Sequence, residues 1–385
     1  MKLLWCGQGM TTLVEIYDDG VEKDAADYLA LIDCGGSPTY GKGAVDHIAN
    51  KVAKRKATPK MLDLVVISHQ DDDHNGLLGA LGEELKKIDA RVGRVRLGGL
   101  SWIQGNKDTV NAFLTAVKYA GDAVVFDAPA QSNYFDDGSA PTHIAEHKDV
   151  KFRLLISNLT VPGATPDIVR NGSSAVVVVD NGINTVVLPG DATFQTMLAI
   201  NTKLGGAPLT PQVLALEIPH HGALRTAVEN YASGKKKTEI TWTIIEDFAT
   251  KVMKPKSVGA SAGPWNSENH PVQEVIEVFV GTTETVPPHT YVAYLFFQKG
   301  NAIKWATAST VRAVETTIQE LKVRQKKRKQ DAPLPAAGTD FIVGDIVYRL
   351  TGATGPRPEE MVEFRPRRTL GTHGPDEDVV QAPEP

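Results

Sequence analysis

The chain has only two cysteines in 385 residues, Cys6 and Cys34. Two thiols cannot build a disulfide framework or a cysteine-based zinc site, which excludes small secreted scaffolds and zinc-finger modules. Both lie in apolar, strand-like runs and read as buried free thiols. Long hydrophobic runs are missing as well, since no stretch reaches the roughly 18–20 apolar residues that span a bilayer. The start, Met1-Lys2-Leu3-Leu4-Trp5-Cys6-Gly7, is too short and too soon interrupted for a secretory signal. A basic excess is also absent: 41 Lys and Arg stand against 46 Asp and Glu, a net charge of −5. The chain as a whole is therefore neither a nucleic-acid coat nor a polybasic membrane binder, and any nucleic-acid contact must come from a local patch. Aromatic residues are sparse at 6% and show no regular stacking pattern. The expectation is a cytoplasmic protein with no membrane partner.

Apolar material for a core is present, at 42% of the residues. At roughly 150 residues per domain the length suggests two to three domains. Thr11–Tyr17 and Tyr28–Asp33 are β-branched runs around the turn-rich Asp18-Asp19-Gly20 and predict a hairpin. Ala44–Lys56 has helical spacing, and Met61–Ser68 is a nearly continuous apolar run that predicts a strand buried on both faces. Leu77–Ile88 and Thr109–Tyr119 read as helices, with a strand at Arg94–Leu97 between them. Ser173–Val179 and Thr185–Leu188 are strands joined at Asp180-Asn181-Gly182, a strong hairpin signal. A helix at Thr193–Leu204, a buried strand at Val213–Ile218 and a helix near Ile240–Met253 with a β-prone opening follow. Ser257–Ala260, Tyr291–Gln298 and Ala302–Thr307 close the β content. Interleaved strands and helices to about residue 310 make a layered α/β domain. Beyond it, a helix over Val311–Gln330 ends in the basic run Lys322–Lys329, and Phe341–Leu350 reads as a short strand pair around Gly344. From Gly371 onward the Gly, Pro and acidic residues read as a flexible tail. The expected division is a domain over 1–310, an extension over 311–370 and a tail over 371–385.

Chemistry concentrates in His69-Gln70-Asp71-Asp72-Asp73-His74, at the end of the apolar run Met61–Ser68. Three clustered carboxylates repel one another and resist desolvation. An acidic solvated loop is the ordinary explanation; a bound cation is the other, and the mixed nitrogen and oxygen donors suit zinc, manganese or iron better than calcium. Gly190-Asp191 ends the strand at Thr185–Leu188, Pro219-His220-His221-Gly222 follows Val213–Ile218, and Asn269-His270-Pro271 precedes a helix beginning near Val272. Taken singly these are a helix N-cap, a buried pair and a helix entry. Together with His69 and His74 they place five of the ten histidines at strand or helix ends. Side chains converging from several strand ends are how α/β scaffolds build sites.

In order, these motifs resemble the metallo-β-lactamase fold superfamily, and within it the branch typified by the metallo-β-lactamase domain of the ComEC-type competence protein. That branch has His-x-Asp-x-Asp-His, matched by His69, Asp71, Asp73 and His74, a Gly-Gln-Gly matched by Gly7-Gln8-Gly9, and an Asp-x-Gly matched by Asp33-Cys34-Gly35. Asn171 and Ser173-Ser174 also fall in order, and the resemblance covers about four fifths of the chain. It implies a four-layer αββα sandwich with a C-terminal helical and irregular extension, and a centre of two divalent ions, Zn²⁺ or Mn²⁺. His69, Asp71 and one of His220 and His221 would hold the first ion, with His221 favoured; Asp73, His74 and His270 would hold the second, with Asp191 bridging. Asp71 replaces a histidine of the wider superfamily, which hardens the donor set toward Mn²⁺. The superfamily's histidine shortly before the Gly-Asp strand has no counterpart; His143 and His147 lie too far upstream and read as surface residues. His47, His289 and His373 receive no role.

Such a centre generates hydroxide and polarises a scissile phosphoryl or carbonyl group. Asp73 would orient the nucleophile and His220 would protonate the leaving group. The resemblance implies phosphodiester hydrolysis, by a nuclease on DNA or by an enzyme of small phosphodiesters. Arg225, Lys235-Lys236-Lys237 and the run Lys322–Lys329 offer local positive charge, although a basic helix end equally complements the helix dipole. The alternatives are a hydrolase of a small ester, lactone or phosphocholine-like group, with a narrow pocket at Gly263-Pro264-Trp265-Asn266, and a non-catalytic interaction protein. Residues 311–385 are the expected docking element for any protein partner.

Overall fold

The apolar run Met61–Ile67 lies between two parallel neighbours in the computed structural model of the chain, and Leu62, Leu64, Val65, Val66 and Ile67 are all wholly buried. The structure describes residues 1–36, 38–100, 102–119, 121, 124–125, 144–160, 166–231, 239–262, 270–280, 291–294, 296–298, 341–350, 362–370 and 380–381. The first sheet begins with β1 (Lys2–Leu3), β2 (Thr11–Ile16), β3 (Tyr28–Cys34), β4 (Met61–Ile67), β5 (Arg91–Leu97) and β6 (Val124–Val125). The second comprises β7 (Ala145–His147), β8 (Val150–Ile156), β9 (Val176–Asp180), β10 (Asn184–Leu188), β11 (Gln212–Glu217), β12 (Ser257–Ala260) and β13 (Tyr291–Tyr294). The chain then returns to the first sheet through β14 (Phe296–Gln298), β15 (Phe341–Tyr348), β16 (Val362–Leu370) and β17 (Val380–Gln381).

Two mixed sheets face each other across one core and carry helices on their outer faces. Val14, Ile32, Leu64 and Val66 of the first sheet meet Phe152, Leu154, Val177, Val186 and Ala215 of the second. On the outer side of the first sheet lie α1 (Pro38–Ala53), α2 (Asp72–Asn75), α3 (Leu78–Lys87) and α4 (Gln104–Ala116). Leu78, Leu81 and Leu85 of α3 share one buried face at helical spacing. After α5 (Pro166–Gly172), the second sheet is covered by α6 (Phe194–Lys203), α8 (Thr243–Asp247) and α9 (Gln273–Val280), with the short α7 (Leu224–Ala227) between them. The order helix, sheet, sheet, helix is the αββα sandwich expected. No helix of the described residues is long and apolar enough to cross a membrane.

Several expectations need adjustment. The helix expected over Ile240–Met253 starts at Thr243 and continues as a π-helical stretch at Phe248–Met253; its β-prone Thr241 instead bridges Glu229. Phe341–Leu350 is not a strand pair but one strand, β15, that takes up Gly344 as a register shift opposite β16. It pairs with β1, where Asp345 Oδ1 accepts the Trp5 amide at 2.9 Å, so a distant segment closes an otherwise open sheet edge. Within the tail expected to be flexible, Val380–Gln381 pairs with β16. Ala302–Thr307, the helix over Val311–Gln330, Lys235–Lys237 and Gly263–Asn266 lie outside the described residues, as do Asn269, His143, His289 and His373.

The end of the sandwich at which β3, β4, β10, β11 and β12 terminate is knitted together by the backbone. Ala175 donates to the Ser68 carbonyl at 2.8 Å, and His220 donates to the Gly190 carbonyl at 3.0 Å. The Asp73 carbonyl accepts the Met10 amide at 2.8 Å, and a Cβ on Gly35 would sit 1.9 Å from that carbonyl. The Gly-Gln-Gly and Asp-x-Gly motifs are thus packing devices for the Asp73 turn. Gly35→Ala is expected to lower stability by about 1–3 kcal/mol through overpacking. Gly79→Ala, in α3 with nothing within 4 Å of the added carbon, is expected to raise it by about 0.5–1 kcal/mol. Urea denaturation of the two variants beside the wild type measures both; a neutral Gly35→Ala would contradict the packing role.

Candidate metal centre

Strand C-termini deliver the polar side chains. β4 runs into His69, and the next turn carries Asp71, Asp73 and His74; β10 ends before Asp191; β11 ends before His220 and His221. His69, His74, Asp191 and His221 are all at or below 3% exposure, so the centre is buried. Asp191 is its middle. Its Oδ1 lies 2.9 Å from His74 Nε2 and 3.8 Å from His221 Nε2. Its Oδ2 lies 3.3 Å from His220 Nε2 and 3.6 Å from His69 Nε2. Asp71 Oδ2 is 3.7 Å from His69 Nε2, and Asp73 Oδ2 is 3.3 Å from His221 Nε2.

The histidines are therefore shared out differently from the expected partition, in which His221 accompanied His69 and Asp71. His221 stands with Asp73 and His74, while His220 faces the Asp191 oxygen on the His69 side. The backbone explains this. His220 and His221 are consecutive left-handed residues, at φ 48° and 51°, within the 3-10 turn Pro219–Gly222. Left-handed non-glycine residues cost on the order of 1–2 kcal/mol each. Here the conformation fans the two rings apart, with planes 76° from one another. His270 joins the cluster with its centroid 5.6 Å from His220 and 6.3 Å from His221, stacked on the latter.

Each of the four central histidines is turned the same way by a partner behind it. His74 Nδ1 is 2.8 Å from Asp33 Oδ2, His221 Nδ1 is 2.9 Å from Ser261 Oγ, and His220 Nδ1 is 2.9 Å from Thr226 Oγ1. His69 Nδ1 meets Ser68 Oγ at 3.2 Å and Ser174 Oγ at 3.4 Å. With the proton on Nδ1, every Nε2 lone pair points inward, the arrangement that orients metal-ligating imidazoles. The Nε2 atoms of His69, His74 and His221 and Oδ1 of Asp191 are buried and face only one another and the neighbouring carboxylates of the cluster. Two sets of donor atoms each converge within 4.8 Å, His69 with His74 and Asp191, and Asp73 with His74 and His221. The donor set fits two adjacent cations.

Electrostatics agrees. Burial opposes ionisation of Asp191, but His220, His74 and His69 outweigh it and hold the carboxyl well below the usual range. Burial likewise opposes charge on Asp73, and the His221 hydrogen bond with His74 and His221 charge holds it low. For His74, burial works against the imidazolium and is overcome by Asp191 and Asp33, which raise its pKa well above the ordinary value. His220 differs: burial lowers its pKa despite Asp191, which favours the neutral ring. A neutral ring with Nδ1 engaged is suited to donating a lone pair to a cation.

Asp33 and Ser174 lay within recognised motifs without an assigned role. Thr226, Ser261 and Arg170 carried no signal in the sequence, because each acts only through a tertiary neighbour. Arg170 Nε lies 3.7 Å from Asp71 Oδ1. His147 is a surface residue as expected, 2.7 Å from Asp18 Oδ1.

A family model for the metallo-beta-lactamase superfamily matches residues 6–230. Among solved structures, the chain is similar to the metallo-beta-lactamase fold protein YhfI from Bacillus subtilis, at 13% identity and a TM-score of 0.37, covering 76% of this chain and 95% of that one. It is also similar to CmlA, a diiron beta-hydroxylase from Streptomyces venezuelae, at 13% identity and a TM-score of 0.37, covering 72% of this chain and 50% of that one. No curated protein matches.

Behind the centre, Glu217 closes β11 at 2% exposure, and burial pushes its carboxyl up to about 8 despite opposing His221 and Ser261. A carboxyl raised in the folded state contributes stability below its ordinary value of 4.5 and loses it as pH rises toward 8. The loss is about 1.4 kcal/mol per pH unit across that window. Chelated wild-type protein should therefore melt lower at about pH 8 than at about pH 5, and Glu217→Gln should flatten the difference. Thermal melts of both proteins test this; parallel profiles would contradict it.

Proposed function

Because this chain belongs to the metallo-β-lactamase superfamily, we propose that it is a dinuclear metal-dependent phosphodiesterase, a nuclease with DNA as the favoured substrate. The observation that carries the reading is Asp191, whose two oxygens face different histidine sets, His69 and His220 on one side and His74 and His221 on the other. His69, Asp71 and His220 would hold one ion, and Asp73, His74 and His221 the other, with His270 beside them. Zn²⁺ and Mn²⁺ both suit this mixture of imidazole and carboxylate. Two such cations, when bound, lower the pKa of a water between them and withdraw charge from the scissile group.

The chain's own residues supply the rest. Asp73 is ionised and about a third exposed, with 32% of its side chain accessible, so it can accept a hydrogen bond from the attacking water. Asp33, Ser261 and Thr226 hold the His74, His221 and His220 rings in orientation from behind. Arg170, beside Asp71, sets a guanidinium where an anionic phosphate would arrive. Cys6 and Cys34 are buried free thiols, the former pushed up to about 12 by burial, which supports a reducing, cytoplasmic setting. A second reading, hydrolysis of a small ester, lactone or phosphocholine-like group, draws support from a cavity of about 370 Å³ beside the centre.

The test is hydrolysis of single- and double-stranded DNA, RNA, bis-p-nitrophenyl phosphate, p-nitrophenyl acetate and a simple lactone, with Mn²⁺, Zn²⁺ or chelator. Phosphodiester cleavage that requires metal and falls about 10²–10⁴-fold in Asp73→Ala is the expected result. Metal-dependent turnover of the carboxylic esters alone would overturn the phosphodiesterase reading in favour of the second.

A further inference from the structure

The cavity beside the centre is bounded by Ile168, Arg170, Asn171, His220, Arg225, Thr226, Tyr231, His270 and Val272 among others. It shares His220 and His270 with the histidine cluster, so whatever fills it touches the centre. Its walls divide by chemistry. Arg170 and Arg225 give positive charge; Ile168, Leu224 and Val272 give an apolar side; Tyr231 places an aromatic ring at the rim, 39% exposed. Arg225 is exposed and makes no ion pair among the described residues. Guanidinium groups recognise phosphate through fixed pairs of N–H donors, and an accessible aromatic ring stacks on a base whatever its identity.

Size discriminates further. A volume of about 370 Å³ is near the lower end of the roughly 300–1,000 Å³ typical of small-ligand sites. A duplex, about 12 Å across its major groove alone, does not enter such a space and could meet it only across the mouth. A single nucleotide unit fits inside.

We infer that this cavity is a subsite for one nucleoside phosphate, with Arg170 and Arg225 on the phosphate and Tyr231 against the base. The inference rests on the phosphodiesterase reading and narrows it: the enzyme acts on a chain end or on a small nucleotide diester, not within a duplex. Arg225 and Tyr231 are specificity-determining residues under this assignment. Both are exposed, so their replacement leaves the fold intact.

Two measurements on the full chain test it. The first compares metal-loaded turnover of thymidine 5′-(p-nitrophenyl phosphate) and methyl p-nitrophenyl phosphate, which share a leaving group and differ only in the nucleoside. Wild type should prefer the nucleoside diester by about tenfold or more in kcat/KM, and Arg225→Ala and Tyr231→Ala should each cut that ratio severalfold. Equal turnover of the two diesters, or an unchanged ratio in both variants, overturns the subsite while leaving phosphodiester hydrolysis standing. The second is calorimetric binding of thymidine 5′-monophosphate to the metal-free chain, which does not depend on activity. Saturable binding weakened about tenfold or more by Arg225→Ala is expected; no binding, or binding no tighter than inorganic phosphate, overturns the subsite even if no diester is cleaved. Linear single-stranded DNA consumed while a circle of the same sequence persists identifies the chain end as the source. Cleavage confined to dinucleotides identifies the small diester. A circle or duplex cut as fast as the linear strand overturns the inference.

Discussion

One buried carboxylate governs this molecule. Asp191 is 2% exposed and lies among four imidazoles contributed by the ends of β4 and β11 and by the turn after β4. A charge so far from water is costly unless it is compensated by opposite charge and by hydrogen bonds. In the absence of cations, protons on His74 and His221 supply part of that compensation, since the pKa of each ring is raised against the opposing effect of burial. Cations in the same place would displace those protons and supply it more completely, because the Nε2 atoms already point inward. The chain therefore maintains an electrostatic demand that a pair of divalent ions would satisfy.

The sandwich exists to hold that demand in place. β3, β4, β10, β11 and β12 end at the same edge, and the Asp33, Ser68 and Ser261 side chains that orient the rings come from those ends, with Ser174 just before the start of β9. Ser68 illustrates the economy: its amide and hydroxyl both donate to Asp33, at 2.6 and 2.7 Å, while Asp33 also engages His74. The strained pair His220 and His221 is held by backbone bonds from His220 to Gly190 and from Ala223 to His220. Strain at such a point persists only when its surroundings over-determine it.

Much of this was legible in the sequence. Three carboxylates and two histidines within six residues after an apolar run marked the site, and strand β4 itself was visible as a nearly continuous apolar run broken only by Asp63. Gly190-Asp191 and His220-His221 stood at strand ends, where α/β scaffolds place their chemistry. What was not legible depended on three-dimensional closure. The sides taken by His220 and His221 follow from two φ angles that no spacing encodes. The place of β15 against β1 joins distant segments, as the bond between Trp5 and Asp345, 340 positions apart, shows. Arg170, Thr226 and Ser261 are unremarkable polar residues in the sequence and acquire meaning only from Asp71, His220 and His221 beside them.

The central claim is that Asp191 stands between two metal ions, and anomalous diffraction from crystals of the Mn²⁺- or Zn²⁺-loaded chain tests it most directly. The account predicts two anomalous peaks about 3.5–4 Å apart, one on the His69 and His220 side of Asp191 and one on the His74 and His221 side. A single peak, or peaks away from Asp191, would contradict it.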